Sequence, residues 1–312
     1  MNKEASNSTY VVETEALTKR FGERTVVRGV ALRVPRGSAF GYLGPNGAGK
    51  TTLIRMLLGL TPASSGSMHL LGHPVPAERA QALARVGAIV EEPRFHGHLT
   101  GRENLGIAAA ARDSAATSRI DASLERVGLT ARADDRVRTY SLGMRQRLGI
   151  ARCLIADPEL LILDEPMNGL DPAGIQDFRA FVRSFVDEGG TIVLSSHLLD
   201  EVERTCDHVA IVDHGAIVAQ GSIAELRGTG LVLYVEADDR ERARAVLAAS
   251  TDVERIVDDG NVLAVSILEP HVVPDLNRRL VEAGINVLRL EPQQASLEQR
   301  FLEITTRLED AA

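Results

Sequence analysis

The stretch GPNGAGKT, residues 44–51, lies between the β-rich run SAFGYL and a helix-forming run that begins LIRMLL. It matches the pattern G-x-x-x-x-G-K-[ST], which binds polyphosphate when a strand precedes it and a helix follows it. The glycines allow tight turns with positive φ, so that successive N–H groups can face phosphate oxygens. A glycine turn that merely connects strand to helix is the alternative, and the complete pattern in this context disfavours it.

Each residue of this phosphate loop has an expected role. Lys50 would reach the β- and γ-phosphates, and the Thr51 hydroxyl would ligate Mg²⁺. The remaining contacts to the nucleotide are expected from Gly44, Pro45, Asn46, Gly47, Ala48, Gly49 and Thr52.

A pair of carboxylates follows a second apolar run, LLILDEP, residues 160–166. The run predicts a buried strand with Asp164 and Glu165 at its carboxyl end, where ligands bind in an open α/β sheet. Asp164 would hold Mg²⁺ through water, and Glu165 would orient or deprotonate a water that attacks the γ-phosphate. A helix-capping pair is the alternative, which the upstream phosphate loop disfavours. The two motifs together indicate a nucleotide hydrolase.

Length and composition limit the class of protein. The 312 residues suit one large and one small domain, and a net charge of −8 argues against binding to duplex nucleic acid. The cysteines, Cys153 and Cys206, form no CxxC pair, which disfavours disulfides and zinc sites and fits a reduced, cytosolic chain. No apolar run predicts a membrane span, and the polar residues 1–9 predict a frayed tail rather than a signal peptide.

The order of strand and helix signals predicts an α/β core with two additions. Hairpin-like runs from Tyr10 to Leu43, YVVETEAL, FGERTVV and GVALRVPRG, predict antiparallel strands. The apolar runs VGAIV, ELLIL and GTIVLSS predict a buried parallel sheet. Residues 92–158 predict a helical insertion into that core, with a helix start at the capping box of Thr100 and Glu103.

Further signals predict the end of the first domain, residues 10–228, and a second domain, residues 231–312. Asp171 and Pro172 suit a helix start, and DHVAIVDHG with AIVAQGS suits a terminal hairpin. After the linker RGTG, the order βαββαβα predicts a small α+β sandwich with a regulatory or structural role. Its last helix carries an apolar stripe that we expect to dock on its own sheet, with dimer contact as the alternative; the stripe comprises Leu297, Phe301, Ile304 and Leu308.

The segment YSLGMRQR, residues 140–147, resembles the signature of ATP-binding cassette (ABC) ATPases, whose usual form is L-S-G-G-Q. Ser141 and Gly143 keep their places, whereas Leu142 and Met144 depart from the usual form. The resemblance covers roughly residues 10–225. It implies a P-loop NTPase ABC cassette, with a RecA-like core, an antiparallel β subdomain and a helical insertion, which hydrolyses ATP with Mg²⁺.

The resemblance assigns roles to residues outside the two motifs. Phe21 stands where the family stacks an aromatic ring on adenine, although a packing role is the alternative. His197 stands where the family places a histidine at the γ-phosphate, and a structural buried histidine is the alternative. The segment NGLD, which ends at Asp171, resembles the loop that crosses between subunits.

The segment VGAIVE aligns with a family segment that ends in a glutamine, and Glu91 takes the place of that glutamine. In the family this residue reaches Mg²⁺ and the attacking water. Two unit charges about 4 Å apart interact by about 4 kcal/mol at an effective dielectric constant near 20, so attraction to the metal and repulsion from the γ-phosphate are comparable. We hypothesise that Glu91 replaces the glutamine in function and that its neighbour Glu92 is solvated.

The resemblance also implies partners. In the family, ATP is sandwiched between two subunits, and the phosphate loop of one faces the signature of the other, which implies a homodimer here. The helical insertion of the family docks on membrane permease subunits near the segment that corresponds to residues 92–105. Phe95 and Leu99 in that segment would either anchor the permease or pack under their own helix. The chain would then be cytoplasmic and peripheral on the inner face of the membrane.

The wording EEP-x-F…LTGRENL and the YSxGM signature resemble a branch of exporters of the bacitracin and lantibiotic type, which implies export of a drug, peptide antibiotic or lipid. A soluble ABC ATPase that acts on DNA or ribosomes is the alternative, and a nucleotide-gated binding module is a third possibility. The excess of acidic over basic residues disfavours binding to nucleic acid. A single cassette and the absence of sustained heptads between Lys50 and Ser141 also disfavour the second reading.

Overall fold

The computed structural model describes residues 8–112, 114–227, 231–267, 269–294 and 297. The chain divides into two compact units, Met1–Ser222 and Ile223–Ala312. Most of the predicted tail, linker and last helix lies outside the described residues. The predicted domain limits at residues 228 and 231 therefore stay predictions.

The first unit alternates strands and helices along the chain. Its strands are β1 Tyr10–Phe21, β2 Arg24–Val30, β3 Arg33–Pro35, β4 Ala39–Leu43, β5 Ser65–Leu70, β6 His73–Pro74, β7 Val86–Ile89, β8 Leu160–Leu163, β9 Thr191–Ser196, β10 His208–Asp213 and β11 Ala216–Ser222. Its helices are α1 Lys50–Leu57, α2 Arg79–Leu83, α3 Gly101–Ala110, α4 Ser114–Ser118, α5 Ile120–Arg126, α6 Leu142–Leu154, α7 Pro172–Asp187 and α8 Leu199–Thr205.

A largely parallel sheet in the order β11-β10-β4-β9-β8-β7 forms the core of this unit. The apolar runs become strands that are buried along their whole length in β4, β8 and β9, as expected when helices cover both faces of a parallel sheet. The register pairs Leu163 of β8 with Ile89 of β7 and with Leu194 of β9. The carboxyl ends of these strands therefore meet at one edge of the sheet, and the predicted parallel core is confirmed.

A second sheet in the order β2-β1-β5-β6, with β3 beside β1, is antiparallel and confirms the predicted β subdomain. One boundary differs from the prediction. Phe21 ends β1 instead of opening the next strand, because Gly22 turns the chain with φ 57° before β2 begins at Arg24. The strands are cross-linked by the buried Thr14 hydroxyl, which donates to the Val30 carbonyl and accepts from the Leu32 N–H, both at 2.8 Å.

The predicted helical insertion lies between β7 and β8 and contains α3 to α6. The capping box is confirmed. Thr100 Oγ1 accepts from the Glu103 N–H at 3.1 Å, and the Glu103 carboxylate accepts from the Thr100 N–H at 2.8 Å. The predicted start of α7 is also confirmed, since Asp171 Oδ1 accepts from the Gly174 N–H at 2.9 Å and Pro172 is the first helical residue.

The second unit is an α+β sandwich formed by α9 Ile223–Arg227, β12 Leu231–Ala237, α10 Arg240–Ala248, β13 Val253–Asp259, β14 Val262–Ile267, α11 Val273–Glu282 and β15 Val287–Gln294. Its antiparallel sheet has the order β13-β14-β12-β15. The predicted order of elements is confirmed as far as β15. Leu297 is buried, and the other members of the predicted apolar stripe, Phe301, Ile304 and Leu308, lie outside the described residues.

Candidate active site

The phosphate loop joins β4 to α1 and places a lysine in a buried cradle. Gly47 and Gly49 have φ values of 84° and 95°, which glycine adopts without strain. The Lys50 side chain is only 6% exposed, and its Nζ donates to the Gly44 carbonyl at 2.7 Å and to the Pro45 carbonyl at 3.3 Å. The same Nζ lies 3.1 Å from Glu165 Oε1 in an ion pair.

The other loop residues surround this cradle. Pro45, Asn46 and Gly47 are exposed, Ala48 is buried, and the Thr51 and Thr52 side chains at the start of α1 are half-buried. The loop backbone also packs closely against the backbone of β10. A Cβ added at Gly44 would lie 2.4 Å from the Val212 carbonyl oxygen, so the backbone leaves no room for a side chain there.

Two carboxylates lie at the carboxyl end of β8, where the sequence predicts them. Asp164 is buried, and its N–H donates to the Ile89 carbonyl at 2.8 Å. Glu165 has φ 47°, a left-handed conformation that is uncommon for glutamate. The Ser195 hydroxyl of β9 holds both residues, because it donates to Asp164 Oδ1 at 2.5 Å and accepts from the Glu165 N–H at 2.9 Å.

His197 follows β9 and contacts the Glu165 carboxylate. Its Nδ1 lies 3.0 Å from Glu165 Oε2. Glu165 therefore contacts Lys50 through one carboxylate oxygen and His197 through the other. The sequence predicts all three residues as site residues, and the structure brings them together.

The signature segment caps α6. Ser141 is exposed and its Oγ accepts from the Met144 N–H at 3.2 Å, while Leu142, Gly143 and Met144 are half-buried. The segment touches the loop that ends at Asp171, since a Cβ added at Gly169 would lie 2.5 Å from Leu142 Cδ2. Within the described ranges, no hydrogen bond or ion pair joins Ser141 to the Lys50 cradle. The chain therefore presents the two features separately.

Glu91 and Glu92 each face an arginine from a different helix. Glu91 has φ 64°, and its carboxylate pairs with the Arg55 guanidinium of α1. Glu92 Oε1 lies 3.7 Å from Arg145 Nε of α6, the helix that the signature serine caps. The doublet thus lies between the helix that follows the phosphate loop and the helix that begins at the signature.

The remaining predicted positions are partly exposed. Phe21 is 53% exposed at the end of β1, so its ring is not a core side chain. Phe95 and Leu99 are half-buried, and the Arg152 guanidinium of α6 lies 5.1 Å from the centre of the Phe95 ring. Each therefore packs in part against its own unit and leaves some apolar surface exposed.

Three further observations concern metal-ligating groups, thiols and membrane spans in the described part of the chain. It holds no group of three or more His, Cys, Asp or Glu side chains arranged around a metal-sized space. Burial raises the pKa of the Cys153 thiol to about 11 and also raises the pKa of the Cys206 thiol, so both stay protonated near neutral pH. No helix in the described ranges combines the length and apolar character needed to cross a bilayer.

Comparison with known proteins identifies the family. The ABC transporter domain model matches residues 27–168. The bacitracin transport ATP-binding protein BcrA of Enterococcus faecalis is 39% identical to this chain over 95% of it and 96% of the relative. The chain belongs to the family of ABC transporter ATP-binding proteins.

Further comparisons agree with this ABC assignment. The Nod factor export ATP-binding protein I of Ralstonia nicotianae is 38% identical over 96% of this chain and 95% of the relative. A solved structure of the ATP-binding subunit of an ABC transporter has a TM-score of 0.63 and 29% identity, and it covers 70% of this chain and 92% of that chain. The fold is an ABC cassette, and the chain is an ABC-type ATPase that binds ATP.

The sequence did not single out Ser195 or Arg55 of this ABC site. Ser195 is one of two serines in the run SSH, and only the pairing of β8 with β9 brings its hydroxyl to Asp164. Arg55 belongs to an ordinary amphipathic helix, and the position of its partner depends on the turn after β7. Neither contact has a signal in the local sequence.

Ser195→Ala should impair hydrolysis more than nucleotide binding, because it removes both hydrogen bonds that hold Asp164 and Glu165. We expect the rate of ATP hydrolysis to fall by about 10- to 100-fold, as for other residues that orient ligating groups. Ser196→Ala is the matched control, since Ser196 Oγ accepts only from the Leu198 N–H at 3.0 Å among its described contacts. Steady-state phosphate release and ADP titration measure the two effects; equal rates for the two variants would contradict the assignment.

Proposed function

We propose that this chain is the ATP-hydrolysing subunit of an ABC transporter and that it powers export by a separate membrane permease. The observation that carries the proposal is the placement of Glu165 between Lys50 and His197. A carboxylate at the end of a core strand, beside the lysine of a phosphate loop, is suited to act on a water at the γ-phosphate. The names of the relatives, which concern transport, favour this role over an ATPase of nucleic acid or ribosomes.

The chemistry follows from the contacts of each group. The Lys50 ammonium would donate to oxygens of the β- and γ-phosphates and stabilise the negative charge that develops as the bond to the γ-phosphorus breaks. Glu165 would accept a proton from the attacking water, whose oxygen bonds to the γ-phosphorus while ADP leaves with the bonding electrons. His197, which touches the second oxygen of Glu165, would fix the orientation of the carboxylate.

The residues at the start of α1 and the end of β8 fit Mg²⁺. The Thr51 hydroxyl and the Asp164 carboxylate are hard oxygen donors, and the buried Asp164 is fixed in place by Ser195. In phosphate-loop sites Mg²⁺ is bound by one or two carboxylates together with phosphates and waters, which suits this donor set. When bound, the ion neutralises charge on the phosphate oxygens.

Glu91 is proposed as a further group near Mg²⁺ and the attacking water. It follows β7, whose last residue, Ile89, is paired with Leu163 beside Asp164. Glu91 thus emerges at the same edge of the sheet as the carboxylates of β8. Arg55 pairs with Glu91 and offsets its charge.

The complete site is proposed to need two copies of the chain. Ser141 is exposed at the tip of α6, and among the described residues the partners of Lys50 Nζ are two carbonyls of the phosphate loop and Glu165, just after β8. A helix N-terminus with a serine cap is suited to bind phosphate. In a head-to-tail homodimer, Ser141 to Met144 of one copy would face the γ-phosphate held by the other, with Asp171 in the connecting loop.

The helical insertion is the proposed contact surface for the membrane permease. The segment 92–105 holds Phe95 and Leu99, whose half-exposed apolar side chains are suited to contact membrane-embedded subunits. The chain would then lie on the cytoplasmic side, bound to the membrane through its partner. The transport and export named for its relatives favour a drug, peptide antibiotic or lipid as the cargo.

Glu165→Gln should bind ATP and hydrolyse it about 10²- to 10⁴-fold more slowly than the wild type, because glutamine keeps the shape of the side chain but cannot accept the proton. Glu159→Gln is the control and should keep wild-type turnover, since Glu159 precedes β8 at its other end and is half-buried beside Arg36 and Arg85. Phosphate release and ATP titration report the two properties. Near-normal turnover by Glu165→Gln would show that the base lies elsewhere.

Glu91→Gln should keep measurable ATPase activity but need a several-fold higher Mg²⁺ concentration for half-maximal rate, since a charged oxygen near the ion is lost. Glu92→Gln removes the neighbouring charge and breaks only the longer contact with Arg145, so it should titrate with Mg²⁺ as the wild type does. The measurement is the rate of hydrolysis across a Mg²⁺ series at fixed ATP. A Glu91→Gln curve that superimposes on the wild-type curve would exclude Glu91 from the vicinity of the metal.

A further inference from the structure

One face of the Phe21 ring is already covered in this structure. Lys19 Nζ lies 4.8 Å from the centre of the ring, within the range of a cation–π contact. The same ammonium donates to the Pro62 carbonyl at 2.7 Å, and the Lys19 side chain is only 9% exposed. Phe21 is 53% exposed, so part of its surface stays open to solvent beside the Lys19 contact.

The choice of lysine at this position is unusual for this chain. Lysine occurs at only three positions, Lys3, Lys19 and Lys50, among 35 lysines and arginines in total. Arginine therefore serves nearly everywhere that a positive charge suffices. Lysine carries a compact charge that can sit over a ring and donate to one carbonyl at once, whereas arginine presents a broad planar fork. The geometry at Lys19 uses that difference.

The strands that carry Lys19 and Phe21 are fixed to the phosphate loop. In the β1–β2 hairpin, Lys19 pairs with Val27 and Phe21 pairs with Arg24. Next to Val27, the Val26 carbonyl oxygen would lie 2.6 Å from a Cβ added at Gly49, so β2 and the phosphate loop are in backbone contact. The position of the ring is thereby set relative to the loop that would hold the phosphates.

We propose that Lys19 is a positioning residue for nucleotide binding: it clamps one face of Phe21 so that the opposite face is held ready to stack on the nucleobase. The inference rests on the proposed binding of ATP and on the further proposal that Phe21 stacks on adenine, as the family resemblance implies. A ring fixed before binding loses less conformational entropy when the base arrives. The ring would contact the nucleotide only by stacking on its base. Lys19 acts through the ring, so it should strengthen binding of the nucleoside part and leave binding of the phosphates unchanged.

The test is calorimetric titration of the full chain with ADP, which is not hydrolysed, and with pyrophosphate, which has no base. Lys19→Met keeps the aliphatic stem and removes the charge. It should weaken ADP binding by about two- to tenfold, the range expected when one side chain must be ordered on binding, and leave pyrophosphate binding unchanged. Lys19→Arg keeps the charge but not the compact ammonium, so it should recover only part of the loss. Arg20→Met, which removes an exposed charge from the same strand, should behave as the wild type.

A double variant tests whether Lys19 acts through the Phe21 ring. In Phe21→Ala, where the ring is gone, adding Lys19→Met should cause no further loss of ADP affinity. Unchanged ADP binding in Lys19→Met, or an equal loss for ADP and pyrophosphate, would overturn the clamp. An equal loss in Arg20→Met would overturn it as well, since that result reports general electrostatics. If Phe21→Ala binds ADP as tightly as the wild type, the proposed adenine site is wrong. The phosphate site would still be supported if Lys50→Ala were the one variant that lost pyrophosphate binding.

Discussion

The buried ammonium of Lys50 is the constraint from which the rest of the site follows. A cation removed from water costs several kcal/mol unless charges and dipoles compensate it, and here two backbone carbonyls and Glu165 do so. This requirement fixes the turn of the phosphate loop, because the carbonyls of Gly44 and Pro45 must point inward. It also fixes Glu165, since the carboxylate must reach the lysine. The carboxylate that we propose as the base is thereby placed beside the groups that would hold the phosphates.

Hydrogen bonds connect this arrangement to the sheet. Glu165 keeps an uncommon backbone conformation, and its N–H is bonded to the Ser195 hydroxyl, which is shared with Asp164. His197 meets the second oxygen of Glu165. Hydrogen-bond networks are rigid when every member is paired, so the geometry of the site depends on the register between β8 and β9.

The sequence predicts those features of the structure that depend on residues close together in the chain. The phosphate loop, the carboxylates after a buried strand and the helix starts at Thr100 and Asp171 each depend on residues a few positions apart, and the structure confirms their placement. Ser195, Arg55 and the Lys19–Phe21 contact depend on strand register or on turns between distant elements. Such contacts arise from tertiary packing, which no short motif encodes.

The central claim is that each chain supplies two halves of different sites, a lysine cradle and a serine-capped helix tip. Mixing two inactive variants, Ser141→Arg and Lys50→Ala, tests it most directly. Each variant alone spoils every site of its own homodimer, but a heterodimer keeps one site with an intact cradle from the first chain and an intact tip from the second. Random pairing in a two-fold symmetric dimer makes about half of the dimers mixed, so an equal mixture should recover up to about a quarter of the wild-type ATPase rate. A mixture that stays inactive, or a Ser141→Arg protein that hydrolyses ATP at the wild-type rate on its own, would contradict the account.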